Sequence, residues 1–314
     1  MTLRSDRAPQ RHAQTAMQAA IDGWRAEPGV AAVLADFQRC GQGAPLERCP
    51  ALEQVFSQGD CAAELMASLT RHFACAIAAH PLGHPPFRNG FDGRASTMLL
   101  GKSGRAQLVL QAREPGALST PCATFTDMVR YDAVLAGQAT ARILRIHGAH
   151  EQVGFSEEPI VLAPGVRLGF DCSRETLMPE QVETRLVTLR LLQCAATPAP
   201  GREYCRQTGR LLHQSAGTLA SSRREMMAAL LGRMGRVEAA PVLATMALTE
   251  SEQSLRWQAL RECLALDAAE GFVVLGRIAR NSDDALAHPA GALRAQLLEA
   301  HPQFAQLEAE QCRA

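Results

Sequence analysis

Over residues 1–95 the apolar positions recur at helical spacing. Ala-rich amphipathic runs occupy 12–25, 29–40 and 61–79. In the third run Leu65, Met66, Leu69, Phe73, Ala76 and Ile77 share one face, which predicts a buried helical stripe. Pro28 suits the first turn of the second helix, where its missing N–H has no intrahelical partner to lose. Asp60 suits the N-cap of the third. HPLGHPP at 80–86 must end that helix, because proline cannot continue the hydrogen-bond ladder.

The pattern changes at residue 96. STMLL (96–100) and AQLVLQA (106–112) flank a GKSG turn. ATFTDM (123–128), DAVLAGQATARILRI (132–146), EEPIVLA (157–163), RLGFD (167–171) and TRLVTLRLL (184–192) follow. Short alternating or β-branched runs divided by Gly, Pro and Asp predict a sandwich or small barrel over 96–197. Gly137 interrupts one run and predicts a tight hairpin or a bulge. Residues 198–220, with two prolines and three glycines, read as a polar connector. Helical spacing returns over 221–314, where Ser221 or Ser222 suits the N-cap and Glu225 its capping-box partner. The expected fold class is multidomain α+β: a helical N-terminal region (1–95), a β-barrel (96–197), a connector (198–220) and a helical C-terminal domain (221–314).

The last zone contains an internal repeat. Residues 223–247 and 255–279 align, pairing Arg224 with Arg256, Met234 with Leu266, Leu243 with Leu275 and Met246 with Ile278. Each copy reads helix, turn, helix, with Gly235 in the first turn and Asp267 in the second. One helix pair cannot bury its own apolar face, so such units stack. LGRMGRVEAAPVL resembles a HEAT-type repeat, and 289–300 supplies a possible third helix. The resemblance implies a surface for protein contacts.

TFTDMVRYDAVLAGQATARIL (124–144) is similar to the first cupin motif, and APGVRLGFD (163–171) to the second. The resemblance implies a jelly-roll barrel holding a metal or ligand between its sheets. With Gly137 and Gly165 as the motif glycines, the family's metal-binding His and Glu positions fall on Thr124, Thr126, Arg130 and Leu168. Those side chains do not replace imidazole and carboxylate donors. The resemblance therefore implies a barrel that keeps its shape, lacks the usual metal site, and presents Arg130 to an anion or carboxylate. The plain alternative puts Arg130 on the exterior, where most arginines lie.

Composition narrows the function. Thirty-two basic residues balance 32 acidic ones, and the balance holds separately in 1–95 and in 96–197. That removes the electrostatic case for nucleic acid or an anionic membrane. No secretory h-region or membrane-length apolar run occurs, so the expected compartment is the cytoplasm. Ten cysteines without a CxxC spacing read as mostly buried, reduced thiols. GKSG is no phosphate loop, since position 96 is Ser and a strand follows. His72, His80 and His84, with Asp92, form the densest ligand-like group. His147 and His150 read as solvated loop residues.

The expectation is a non-catalytic cupin-like binding or sensing protein without a cofactor. Its partners would be a small molecule or a protein, with a homodimer formed through a barrel edge. The alternative is a metal-dependent cupin-type dioxygenase or isomerase, with iron, zinc or manganese on His72, His80, His84 or His147.

Overall fold

The computed structural model of the chain describes residues 7–149, 152–249 and 252–306. Two compact units are present: residues 1–198 with 202–212, and residues 199–201 with 213–314.

The first unit opens with four helices, α1 (Ala8–Ala26), α2 (Pro28–Gly41), α3 (Pro50–Ser57) and α4 (Cys61–Ala79). The α1 helix buries Ala13, Met17, Ile21 and Trp24, three or four positions apart, as one stripe. Pro28 begins α2 as its composition predicts. No side chain of its own caps α3. Instead the buried Asp36 carboxylate on α2 accepts from the backbone N–H of Ala51 (2.7 Å) and Leu52 (3.3 Å). Asp60 does precede α4, but its side chain makes no capping hydrogen bond.

The strands are β1 (Arg88–Phe91), β2 (Ala95–Ser103), β3 (Ala106–Arg113), β4 (Gly116–Ala117), β5 (Cys122–Phe125), β6 (Met128–Ala149), β7 (Gln152–Leu162), β8 (Arg167–Asp171), β9 (Glu175–Cys194), β10 (Gly201–Cys205) and β11 (Leu211–Ser215). The main sheet runs β1-β2-β3-β9-β6-β7, with β4 added to β9 and β8 to β6; β11-β10-β5 form a second sheet. The segment read as a connector thus supplies two strands. Its prolines and glycines lie in and around them without preventing pairing.

The antiparallel pair β6–β9 organises the fold. Its register shifts repeatedly between Val134 and Ala141. Gly137 lies there with φ +85°, and a Cβ on it would sit 2.1 Å from the Arg185 carbonyl oxygen. The residue marks a bulge inside one long strand, not a hairpin between two. Before the bulge β6 pairs with β8; after it, with β7. Val134 and Leu186 from one half meet Ala139, Ala141, Leu162 and Val182 from the other in a shared core.

The helices cover the opposite face of the first half. Leu108, Ala133, Leu189 and Leu191 share a core with Met17, Trp24, Phe37, Leu52 and Phe73. The C-terminal end of α2 rests on the β2–β3 turn, where Arg105 N–H donates to Gly41 O at 2.9 Å. A Cβ on Gly41 would lie 2.2 Å from Ser103 O. Gln193 Nε2 donates to Cys40 O (2.8 Å) and Ala44 O (2.9 Å). The boundary at residue 95 therefore does not separate two compact units, because these helices bury the sheet's apolar outer face in a shared core.

The second unit holds α5 (Leu219–Arg233), α6 (Ala240–Thr249), α7 (Gln253–Leu266), α8 (Ala268–Arg280) and α9 (Ala287–Ala300). The N-cap of α5 is Thr218, which accepts from Ser221 N–H at 3.0 Å, rather than Ser221 or Ser222. Each copy of the repeat is one helix–turn–helix pair, α5–α6 and α7–α8. Gly235 turns the first with φ +63°, and Asp267 caps α8 by accepting from Ala269 and Glu270 N–H, both at 3.0 Å. Leu243 and Leu275 are both buried, whereas Val274 is buried and its counterpart Val242 is exposed. Among the described residues, no helix is long and apolar enough to cross a membrane.

Candidate functional site

Strand alternation aims polar side chains between the two halves of the bent sheet. On β6, Tyr131 and Ala133 pack toward the helices, so Arg130, Asp132 and Val134 point the other way. On β9, Leu189 and Leu191 face the helices, while Leu186, Thr188 and Arg190 face inward. On β3, Leu108 and Leu110 face the helices, and Gln111 and Arg113 face inward. Register places Asp132 opposite Arg190 and Gln111 opposite Thr188. These side chains line a cavity of about 50 Å³, closed from the second half by Leu162, Leu177 and Pro179 and from β8 by Leu168. That volume accommodates a few water-sized atoms.

Asp132 is the anchor, at 1% exposure. Arg130 Nε donates to Oδ2 at 2.9 Å, and Arg130 Nη2 bonds the same oxygen. Arg190 Nε donates to Oδ1 at 2.8 Å and its Nη2 to Oδ2 at 3.2 Å. The Arg130 guanidinium also lies 5.2 Å from the centroid of the Phe170 ring. Burial pushes the Asp132 pKa up. The Arg190 and Arg130 charges and their hydrogen bonds overcome that and bring it to about 2. A carboxylate so deeply buried is held charged by its two partners.

Arg113 completes the lining without such an arrangement. Among the described residues its guanidinium has no hydrogen bond or ion pair. Burial first, then the Arg190 charge and to a lesser degree that of Arg130, pushes its pKa below the ordinary value, with the Asp92 and Asp132 carboxylates acting the other way. Three guanidiniums against one carboxylate leave the cavity wall with two excess positive charges. Chemically, such a wall favours a small anion, and the planar fork of Arg matches a carboxylate in two hydrogen bonds.

The four positions implied by the cupin resemblance separate here. Arg130 and Leu168 line the same cavity. Thr124 is exposed on β5, in register with Glu203 of the second sheet. Thr126 lies in the bend before β6, where its N–H donates to Cys172 O at 2.9 Å. Arg130 is not on the exterior: its side chain is only 14% exposed, because the face that looks outward in sequence is the one folded inward. Asp132, Arg190 and Arg113 escaped the sequence reading. Arg130 and Asp132 two apart on one strand, and Arg190 inside the apolar run TLRLL, were the available signals.

The histidine group does not assemble. His72 Nε2 bonds Glu27 Oε1 at 2.8 Å, tying α4 to the α1–α2 corner. The His80 ring packs edge-on against His12 at 5.0 Å between centroids. At His84 the backbone carbonyl accepts from Gln14 Nε2 at 3.2 Å. His147 is exposed on β6, not in a loop, and bonds Ser156 Oγ at 2.8 Å; His150 lies outside the described residues. Among the described residues, no group of three or more His, Cys, Asp or Glu side chains converges as a metal site. The described residues do not fit an imidazole-bound iron, zinc or manganese.

No family model matches the chain, and no curated protein matches it. Solved structures similar to part of it include cupin-superfamily proteins and seed globulins. A cupin superfamily protein from Desulfitobacterium hafniense is 17% identical over 34% of this chain and 83% of its own, with a TM-score of 0.25. The CENP-C cupin domain of Drosophila melanogaster is 11% identical over 34% of this chain and 74% of its own, with a TM-score of 0.28. The 7S globulin of Momordica charantia is 13% identical over 38% of this chain, with a TM-score of 0.28; the match spans 35% of the globulin. Likeness of that degree transfers neither activity nor ligand.

Proposed function

We propose that the first unit is a cupin-like jelly-roll pocket, without a metal centre, that binds a small carboxylate. The observation that carries the reading is the cavity wall of Arg113, Arg130 and Arg190 around a single Asp132. Arg130 and Arg190 are committed to Asp132 and act as a fixed positive frame. Arg113, which has no direct hydrogen bond or ion pair among the described residues, reads the ligand. The carboxylate enters between the sheet halves, accepts from Arg113, and relieves the repulsion among the three guanidiniums. Gln111 and Thr188 add hydrogen-bonding groups on the same wall. The role read from this wall is binding or sensing.

Thermal unfolding in acetate or malonate, against chloride at equal ionic strength, tests this. A ligand that binds only the folded chain raises its stability by RT ln(1 + [L]/Kd), so Tm climbs with carboxylate concentration. Arg113→Gln abolishes the climb while leaving the fold intact. Equal melting in carboxylate and chloride across the series defeats the proposal.

A further inference from the structure

Nine cysteines lie among the described residues, none of them in a disulfide. Cys40, Cys49, Cys172 and Cys263 are buried. In the second sheet, strand register sets Cys122 of β5 directly opposite Cys205 of β10. The flanking Ala123, Phe125 and Tyr204 are buried in a core, so Cys122 and Cys205 project together from the opposite, half-buried face.

The backbone fixes which kind of pair this is. Cys205 N–H donates to Arg210 O at 2.9 Å, and Gly209 N–H donates to Cys205 O at 2.8 Å. Both backbone groups of Cys205 thus point away from β5. One residue on, Arg206 N–H donates to Pro121 O at 2.9 Å, placing the hydrogen-bonded rung there. Cys122 and Cys205 therefore form a non-hydrogen-bonded pair, the type whose Cα atoms approach to about 4.5 Å and whose side chains lie closest. A disulfide spans Cα separations from roughly 4.4 to 6.8 Å, so this pair sits at the short, strained and readily reduced end.

From this juxtaposition we infer that Cys122 and Cys205 are a thiol–disulfide exchange site, taking a low-molecular-weight disulfide of the glutathione class as oxidant. Their environments differ in the sense that exchange requires. The Thr208 hydroxyl, with the Thr208 and Gln207 N–H groups of the turn after β10, hydrogen-bonds the Cys205 sulfur and lowers its pKa. A hydrogen bond to Glu203, then burial, raises that of Cys122. Cys205 is the attacking thiol and Cys122 the resolving one. The Cys205 thiolate attacks one glutathione sulfur. The glutathione S–S bond breaks, and the first glutathione leaves and takes up a proton. Cys122 then gives up its proton and attacks Cys205 Sγ, forming the protein disulfide and releasing the second glutathione as its thiol. The protein dithiol loses two protons and two electrons, and one glutathione disulfide becomes two thiols.

The full chain, reduced and then equilibrated with glutathione disulfide, is read by intact mass and by peptide mapping without reduction. The expected result is a loss of about 2 Da and a Cys122–Cys205 cross-linked peptide, both reversed by excess reduced glutathione. Cys122→Ser should stop at the mixed disulfide on Cys205, a gain of about 305 Da. The wild-type map decides the matter even if that variant folds poorly. Recovery of Cys122 and Cys205 still open to alkylation, or each carrying its own glutathione, overturns the inference. So does a cross-link that maps to another pair.

Discussion

Asp132 and Arg113 face one cavity and should respond oppositely to neutralisation. Removing the Asp132 charge leaves Arg130 and Arg190 partly buried without their counter-charge. Asp132→Ala should therefore cost about 3–5 kcal/mol in urea unfolding, the usual loss when one partner of a buried pair is deleted. Arg113→Gln removes a cation that burial and two like charges already disfavour. Its unfolding free energy without ligand should stay within about 1 kcal/mol of wild type or rise, since Asp92, the carboxylate outside the cavity that feels the Arg113 charge, keeps its bonds from the Arg94 and Ala95 N–H groups. Acid titration separates the two further. The Asp132 pKa lies near 2 in the folded chain, below the roughly 3.9 of an unfolded Asp. Its contribution is thus full above pH 4 and lost as pH falls through about 2. Wild type should lose about 2–3 kcal/mol over that window on this account, and Asp132→Asn should lack that component.

At the scale of elements, β6 is the strand whose local chemistry governs the site. Gly137→Ala places a methyl group 2.1 Å from Arg185 O at φ +85°. Both the clash and the left-handed backbone oppose it, so the expected cost is at least about 2 kcal/mol in urea unfolding. An unchanged midpoint would show that the bulge tolerates a side chain. The sheet edges differ as well. Edge strand β7 carries Glu157, Glu158 and Pro159, which discourage pairing with another chain. Edge strand β1 is exposed throughout and leaves Phe91 69% exposed. A homodimer would therefore form on β1. Light scattering should give a mass near twice the chain's 33.8 kDa at high concentration and a monomer for Phe91→Asp. A wild-type monomer throughout would remove the edge pairing.

Across the whole molecule, the N-terminal helices are part of the first unit's core. A chain beginning at residue 85 would expose Leu108, Leu189 and Leu191 together, an apolar face of the kind that drives association. It should bind a hydrophobic dye and aggregate, whereas the full chain should remain monodisperse at low concentration. A soluble, cooperatively melting truncated barrel would show instead that the helices are an accessory layer. The helical second unit has its own core around Leu243, Leu260, Phe272 and Leu275. Its repeat was readable because both copies keep apolar residues at matching helical positions, of which Leu243 and Leu275 are buried in each, and α5–α6 and α7–α8 follow it.

Local periodicity alone determined most element types: three of the four helices before the strands (α3 was not among them), the β2–β3 hairpin, and two repeated helix pairs. Those depend on spacing and on Pro, Gly and Asp, which act within a few residues. The prolines and glycines of 198–220 misled because pairing of β10 with β5 is set by a partner far away in the chain. The sense of each strand face was likewise beyond local reading. Alternation says that Arg130, Asp132 and Arg190 share sides of their strands, but not which side is outside. Tertiary structure decided that, by burying the aliphatic face under the helices and turning the arginines inward, where Asp132 offsets part of their charge. The same long-range pairing, at a single register, set Cys122 against Cys205.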